Sequence, residues 1–207
     1  MIVNVIGDCD KRPVIYSLMK IFQTLGDVLL VTNNSYYRRL SDTGESGGHY
    51  QNVMLAFTNE GVDDFFEEFR YDYDDFSYVI LDNVITGDAD VSIHCYSLVD
   101  SDNIKEMIEY IDDIKGINIW DNKGVSSYAA ACERFEAYKL MHPMPAPIVR
   151  EIALILAEPL KASAENVYKI GTTIPAGAES VKPQSRPVGP KGGKKSMFPS
   201  FGKKGGN

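Results

Sequence analysis

The sequence predicts an α/β fold: a doubly wound, mostly parallel sheet with helices on both faces, followed by a disordered C-terminal tail. Three observations predict it. Short apolar runs of strand length alternate with stretches of helical periodicity, several of these runs end in Gly, Asn or Asp, and the composition changes abruptly near Gly171. Alternation of this kind favours a parallel sheet covered by helices. Beyond Gly171 the chain is Gly, Pro, Ser and Lys, with few large apolar residues to offset the entropy of ordering until Met197, Phe198 and Phe201. The expected division is one domain over 1–170 and a tail over 171–207.

Ile2 to Ile6 is a short apolar run ending at Gly7, the pattern of a central parallel strand. After a loop from Gly7 to Arg12, Pro13 suits a first helical turn, and Val14, Ile15, Leu18, Met19, Ile21, Phe22 and Leu25 give an apolar face that stops at Gly26. Asp27 to Thr32 reads as the next strand. Ser41 to Gly48 reads as a loop and Tyr50 to Phe57 as another strand. Residues 60–70 suggest an acidic helix, in which Asp63, Asp64, Glu67 and Glu68 form a solvated face. Ser77 to Asp82 is a buried strand ending in a carboxylate. Asp90 to Leu98 and Ile117 to Trp120 complete the strands around a helix from Asp102 to Lys115. Helices are expected over Ser126 to Leu140 and Pro147 to Leu160, separated at Pro143, Pro145 and Pro147, where amide donors are missing. One more turn is expected near 163–169.

No apolar run approaches the ~18 residues of a spanning helix, and the N-terminus has neither a basic leader nor a cleavage site, so a soluble, cytoplasmic protein is expected. Cys9, Cys95 and Cys132 are widely spaced and odd in number, and His49, His94 and His142 are scattered, which suggests neither a disulfide framework nor a metal site. The net charge of −8 hides an asymmetry: all 29 acidic residues precede residue 180, while seven of the 21 basic residues follow it. Residues 1–179 therefore carry 14 basic against 29 acidic residues, a balance of −15, and the tail from residue 180 carries +7. So acidic a body repels phosphate backbones, and nucleic acid is not an expected partner.

In a doubly wound sheet the loop after the first strand sits where phosphate is gripped. Here it is Gly7-Asp-Cys-Asp-Lys-Arg12. Phosphate needs glycines whose amides curl round the anion, a lysine, and a Ser or Thr for magnesium. A carboxylate a few ångströms from a phosphate is repelled by about 4 kcal/mol at an effective dielectric near 20. Lys11 and Arg12 would more simply pair with Asp8 and Asp10 themselves. Cys9 is a poor nucleophile beside Asp8 and Asp10, which raise its pKa.

The order of elements resembles the ParA/MinD family, whose phosphate loop GKGGxGK[ST] is followed by a helix and a Gly before the second strand. Lys11 and Gly26 fall at corresponding places. Aligned so, Gly7 survives, Asp8 and Asp10 replace glycines, and Arg12 replaces the magnesium-binding hydroxyl. Thr32 and Asn33 stand where the family has aspartates, Asp82 resembles its Walker B aspartate, and Asn122 resembles its base-contacting Asn. The resemblance spans about residues 1–160. It implies a pseudo-ATPase of the TadZ/CpaE-like kind, with no catalytic residue, cofactor or metal, acting as a scaffold or positioning protein of secretion or pilus machinery. The alternatives are a regulator that binds a nucleotide or small ligand, or a weak NTPase, and a virion or apparatus structural subunit.

In the tail, Lys194 and Lys195 precede Met197, Phe198 and Phe201, and Lys203 and Lys204 follow them. MinD-like proteins end in a similar basic, aromatic segment that binds membranes as a helix, but Pro199 argues against a helix here. A protein partner with pockets for Phe198 and Phe201, an anionic membrane surface and a merely solvated end all remain open. Firm membrane attachment would need a homodimer.

Overall fold

The computed structural model describes residues 1–43, 47–58, 66–67, 70–84, 89–97, 115–119, 125–138 and 141–174. The strands are β1 (Ile2–Ile6), β2 (Val28–Thr32), β3 (Gly47–Tyr50), β4 (Val53–Phe57), β5 (Tyr78–Asp82), β6 (Val91–Tyr96) and β7 (Gly116–Asn118). The α-helices are α1 (Arg12–Phe22), α2 (Val125–Tyr138), α3 (Ala146–Leu156) and α4 (Ala164–Thr172), and a 3₁₀ helix spans Ser35–Leu40.

The strands form one seven-stranded sheet in the order β3-β4-β2-β5-β1-β6-β7, parallel except for β3, which pairs antiparallel with β4. The α/β class expected from the sequence is the class of this fold. One expectation changes in detail: Gly47 and Gly48, read as the end of a loop, join His49 and Tyr50 in the edge strand of a hairpin, and the strand expected over Tyr50 to Phe57 is divided by a turn. The turn at Gln51 and Asn52 places Gln51 at φ 60°, a conformation that few non-glycine residues signal in advance.

Side chains alternate across the sheet as strand geometry requires. Val3 and Val5, Val28 and Leu30, Val53 and Leu55, Ile80, and Val91, Ile93 and Cys95 face one core with α1, α2, α3 and α4. Leu29, Val31, Met54, Ala56, Val79 and Leu81 face the other side, where Phe66, Phe76 and Val84 pack on them. The acidic helix over 60–70 lies mostly, and the helix over 102–115 almost entirely, outside the described residues.

Helix α1 is the centre of the larger core. Every residue from Pro13 to Phe22 is buried, more than the single apolar face its pattern promised, because the sheet lies on one side and α2, α3 and α4 on the other. Phe22 stacks on Tyr78 of β5, with centroids 4.5 Å apart, and Tyr16 stacks on Phe135 of α2 at 4.9 Å. Lys20 is also inside, and its ammonium donates 2.8 Å hydrogen bonds to the carbonyls of His142 and Thr173. With no carboxylate in that pair of contacts, burial pulls its pKa down to about 8. The turn expected near 163–169 is the full helix α4, capped by the Ser163 hydroxyl accepting from the Asn166 amide, and it runs past the expected domain boundary at 170. Among the described residues no helix is long and apolar enough to cross a membrane.

Candidate functional site

From β1 the chain moves to β2 and β4 on one side, returns to β5, then passes over β1 to β6 and β7 on the other. Connections leaving β1 and β6 thus diverge, and a crevice opens at the carboxyl ends of these two neighbours. The loop after β1 lies on it.

Gly7 begins the loop at φ +145°, and a Cβ there would sit 2.1 Å from the carbonyl oxygen of Cys95 in β6, so only glycine fits. Asn83, just beyond β5 and itself at φ 57°, clamps the Gly7 peptide from both sides. Its Oδ1 accepts from the Gly7 amide at 2.9 Å, and its Nδ2 donates to the Gly7 carbonyl at 3.1 Å. Sequence patterning did not single out Asn83; an Asn after a strand-end Asp was the one available signal. Gly26, the other glycine singled out, lies where a Cβ would come within 2.7 Å of the Ser77 side chain.

Lys11 caps α1, and its side chain does not point out of the loop. It folds back to donate to the Gly7 carbonyl at 2.7 Å and to pair with Asp82 at 3.1 Å, both side chains nearly buried. The other Asp82 oxygen accepts from the Thr32 hydroxyl at 2.7 Å, and Thr32 accepts in turn from the Asn34 amide at 3.0 Å. The carboxyl ends of β5 and β2 and the start of α1 are thereby joined through one carboxylate. Thr32, which the sequence marked only as standing in place of an acid, is the second partner of Asp82.

Arg12 leans the other way. Its guanidinium hydrogen-bonds both oxygens of Asp10, with Nε at 2.8 and 2.9 Å, and Nη1 donates to the Tyr36 hydroxyl at 2.5 Å. Half-burial works against the Asp10 carboxylate, but the Arg12 hydrogen bonds win and hold its pKa below the ordinary range. Beyond Arg12 lies Glu136 of α2, which accepts from Tyr36 and Tyr16 at 2.8 Å each and from Arg39 at 2.5 and 2.6 Å. Arg39 also sits 3.5 Å from the Tyr36 ring centroid. Of the pairings expected within the loop, Arg12 with Asp10 is present, but Lys11 pairs with Asp82 and not with Asp8 or Asp10, because β5 lies beside β1 and brings that carboxylate under the loop; the Tyr36 and Glu136 relay likewise comes from residues distant along the chain.

Asp8 is exposed, and Cys9 is half-buried. Burial is the leading cause that pushes the Cys9 thiol above its usual value, with Asp10 and Asp8 adding to it against Lys11. Cys95 and Cys132 are buried, and desolvation pushes Cys132 up to about 12. Beside the loop is a cavity of about 350 Å³ lined by Cys9, Asp10, Arg12, Pro13, Ser97, Ile119, Tyr128 and Ala129. Its walls are mostly apolar, and its charged groups, Asp10 and Arg12, are bound to each other.

The structure therefore brings together Gly7, Asp8, Asp10, Lys11, Arg12 and Asp82. Asn122 lies outside the described residues, as do Lys194, Lys195, Met197, Phe198, Phe201, Lys203 and Lys204. Of the tyrosines near β5, Tyr78 stacks in the core, and Tyr71 lies at the surface against Phe76, 5.5 Å between centroids. Among the described residues no group of three His, Cys, Asp or Glu is placed to hold a metal ion. Compared with protein-family models, with curated proteins and with solved structures, the chain matches none in any of the three.

Proposed function

We propose that this chain is a non-catalytic scaffold or positioning protein, a ParA/MinD-type fold of the TadZ/CpaE-like kind. In this reading it joins a large assembly, such as secretion or pilus machinery, through its basic, aromatic tail. One observation carries the reading: the lysine of the loop is committed to Asp82, with 9 % and 3 % of the two side chains exposed. A phosphate arriving at the loop has to break that pair and leave Asp82 unpaired in a nearly dry site, a cost of several kcal/mol. Arg12 is held by Asp10 in the same way, and the exposed Asp8 adds repulsion. Contact chemistry then falls to the tail, where Phe198 and Phe201 supply apolar anchors and the lysines supply charge.

The cavity favours one second reading, a regulator that binds a small ligand, because its volume lies at the small end of the range for ligand pockets. The two readings part in a cell-level test. Tagged full-length chain is compared with a Phe198→Ala/Phe201→Ala variant for retention on its assembly, alongside thermal melting. Loss of retention with unchanged melting supports the scaffold reading; equal retention overturns it.

A further inference from the structure

The crevice and the tail have complementary chemistry. The crevice offers an apolar hollow, Pro13, Ile119, Tyr128 and Ala129, and the loop at its edge carries the exposed Asp8, while Asp10 is already hydrogen-bonded to Arg12. A phosphorylated ligand suits it badly, since Lys11 and Arg12 are already paired. An occupant with an aromatic group flanked by positive charge suits it better: the ring displaces water from the hollow, and the charges meet Asp8 and the net negative charge of the body. The chain carries such a segment in Lys194-Lys-Ser-Met-Phe-Pro-Ser-Phe-Gly-Lys-Lys204, the most basic stretch of a tail at +7 attached to a body at −15.

Reach permits the contact. The end of α4 is fixed near the end of α1 by the Lys20 bond to Thr173, whereas the loop lies at the start of α1. The separation along α1 is 11 residues, about 16 Å of helix. The 25 residues from Ile174 to Phe198 span up to about 80 Å when extended, several times that distance. A tethered segment also needs little intrinsic affinity, since its effective concentration is on the order of millimolar.

We propose that the crevice between β1 and β6 is a docking site for the chain's own C-terminal segment, with Phe198 or Phe201 in the hollow and the flanking lysines toward the exposed Asp8 and the acidic body. It rests on the reading of the tail as a docking element, and it gives that element two competing seats: its own crevice when the chain is alone, and the assembly when that is present. The partner then has to displace the crevice contact, so the crevice sets the threshold for recruitment.

Cys9 reports on the site directly, because it lines the hollow while the other two cysteines are buried. The purified full-length chain is alkylated with N-ethylmaleimide at pH 8, with the modified residue located by peptide mass and a Cys9→Ser variant as the control. Docking for about nine-tenths of the time leaves one-tenth of the molecules reactive, so Phe198→Ala/Phe201→Ala should accelerate Cys9 modification about tenfold. A synthetic 191–207 peptide added to that variant should slow it again, and molar salt should accelerate the parent chain but not the variant. Equal Cys9 rates in parent and variant overturn the proposal, as does a peptide that leaves the variant's rate unchanged at millimolar concentration. Protection that fades on dilution assigns the seat to a second copy's tail and overturns docking within one chain. Because the assay contains no partner, its failure leaves the retention experiment on the assembly standing by itself.

Discussion

Lys11 and Asp82 meet 3.1 Å apart at the carboxyl edge of the sheet, joining the first turn of α1 to the end of β5, with Thr32 holding the far side of the same carboxylate at 2.7 Å. Both charges are nearly excluded from solvent, so either one left alone is costly. Lys11→Met and Asp82→Ala should each lower unfolding stability by about 3 to 5 kcal/mol. The double variant should fall short of the sum by at least about 1 kcal/mol, because the second substitution removes a charge the first has orphaned. Denaturant unfolding of the four proteins measures the coupling, and additive losses would contradict the pairing.

Glu136 gathers the hydroxyls of Tyr16 and Tyr36 and the guanidinium of Arg39. Glu136→Ala strands two phenol hydroxyls that are buried or half-buried and should cost about 3 kcal/mol. Glu136→Gln keeps an acceptor oxygen and should cost about 1 kcal/mol in the same unfolding measurement. Equal effects of the two would show that the carboxyl oxygens are not the acceptors.

Lys20 predicts a pH dependence of definite sign. Its pKa is about 8 in the fold against an ordinary 10.5, so between these values the unfolded chain holds a proton that the folded chain has released. Stability therefore rises with pH across that window, by about 3 kcal/mol from this group. Cys95 and Cys132 oppose it, since burial raises both thiols and the unfolded chain ionises first. The parent protein minus Lys20→Met removes the cysteine contribution, and this difference in stability should climb from pH 8 toward 10.5. A flat difference would mean that the ammonium is not desolvated.

Gly7→Ala should destabilise the chain by more than about 2 kcal/mol, because its φ of +145° and the Cys95 carbonyl both exclude a methyl group. Thermal melting checks it, and a melting temperature equal to the parent's would contradict the close approach of the loop to β6.

The buried strands and α1 were legible because each is a local pattern: Val28 to Val31 is apolar throughout, and Pro13 and Gly26 punctuate the helix before it. The hairpin strand Gly47 to Tyr50 was not, since Gly47, Gly48 and His49 carry no apolar run and their pairing is set by Val53 to Ala56 across the turn. Site residues divide in the same way. Asp10 and Arg12 are two residues apart, and their pairing follows from local charge balance. Lys11 finds Asp82 only because β5 is laid beside β1, and Tyr36 finds Glu136 across 100 residues of chain. Lys20 was hidden for a related reason: a lysine in an amphipathic helix reads as exposed until α3 and α4 close over it.

In the loop after β1 the lysine is already taken by Asp82, and the proposed function rests on that pair. Isothermal titration of the full-length chain with ATP and with ADP, each with and without magnesium, tests it most directly. The account predicts no saturable heat up to about millimolar nucleotide. Saturable, magnesium-dependent binding in the micromolar range would contradict it, since Lys11 would then leave Asp82 for phosphate at little cost.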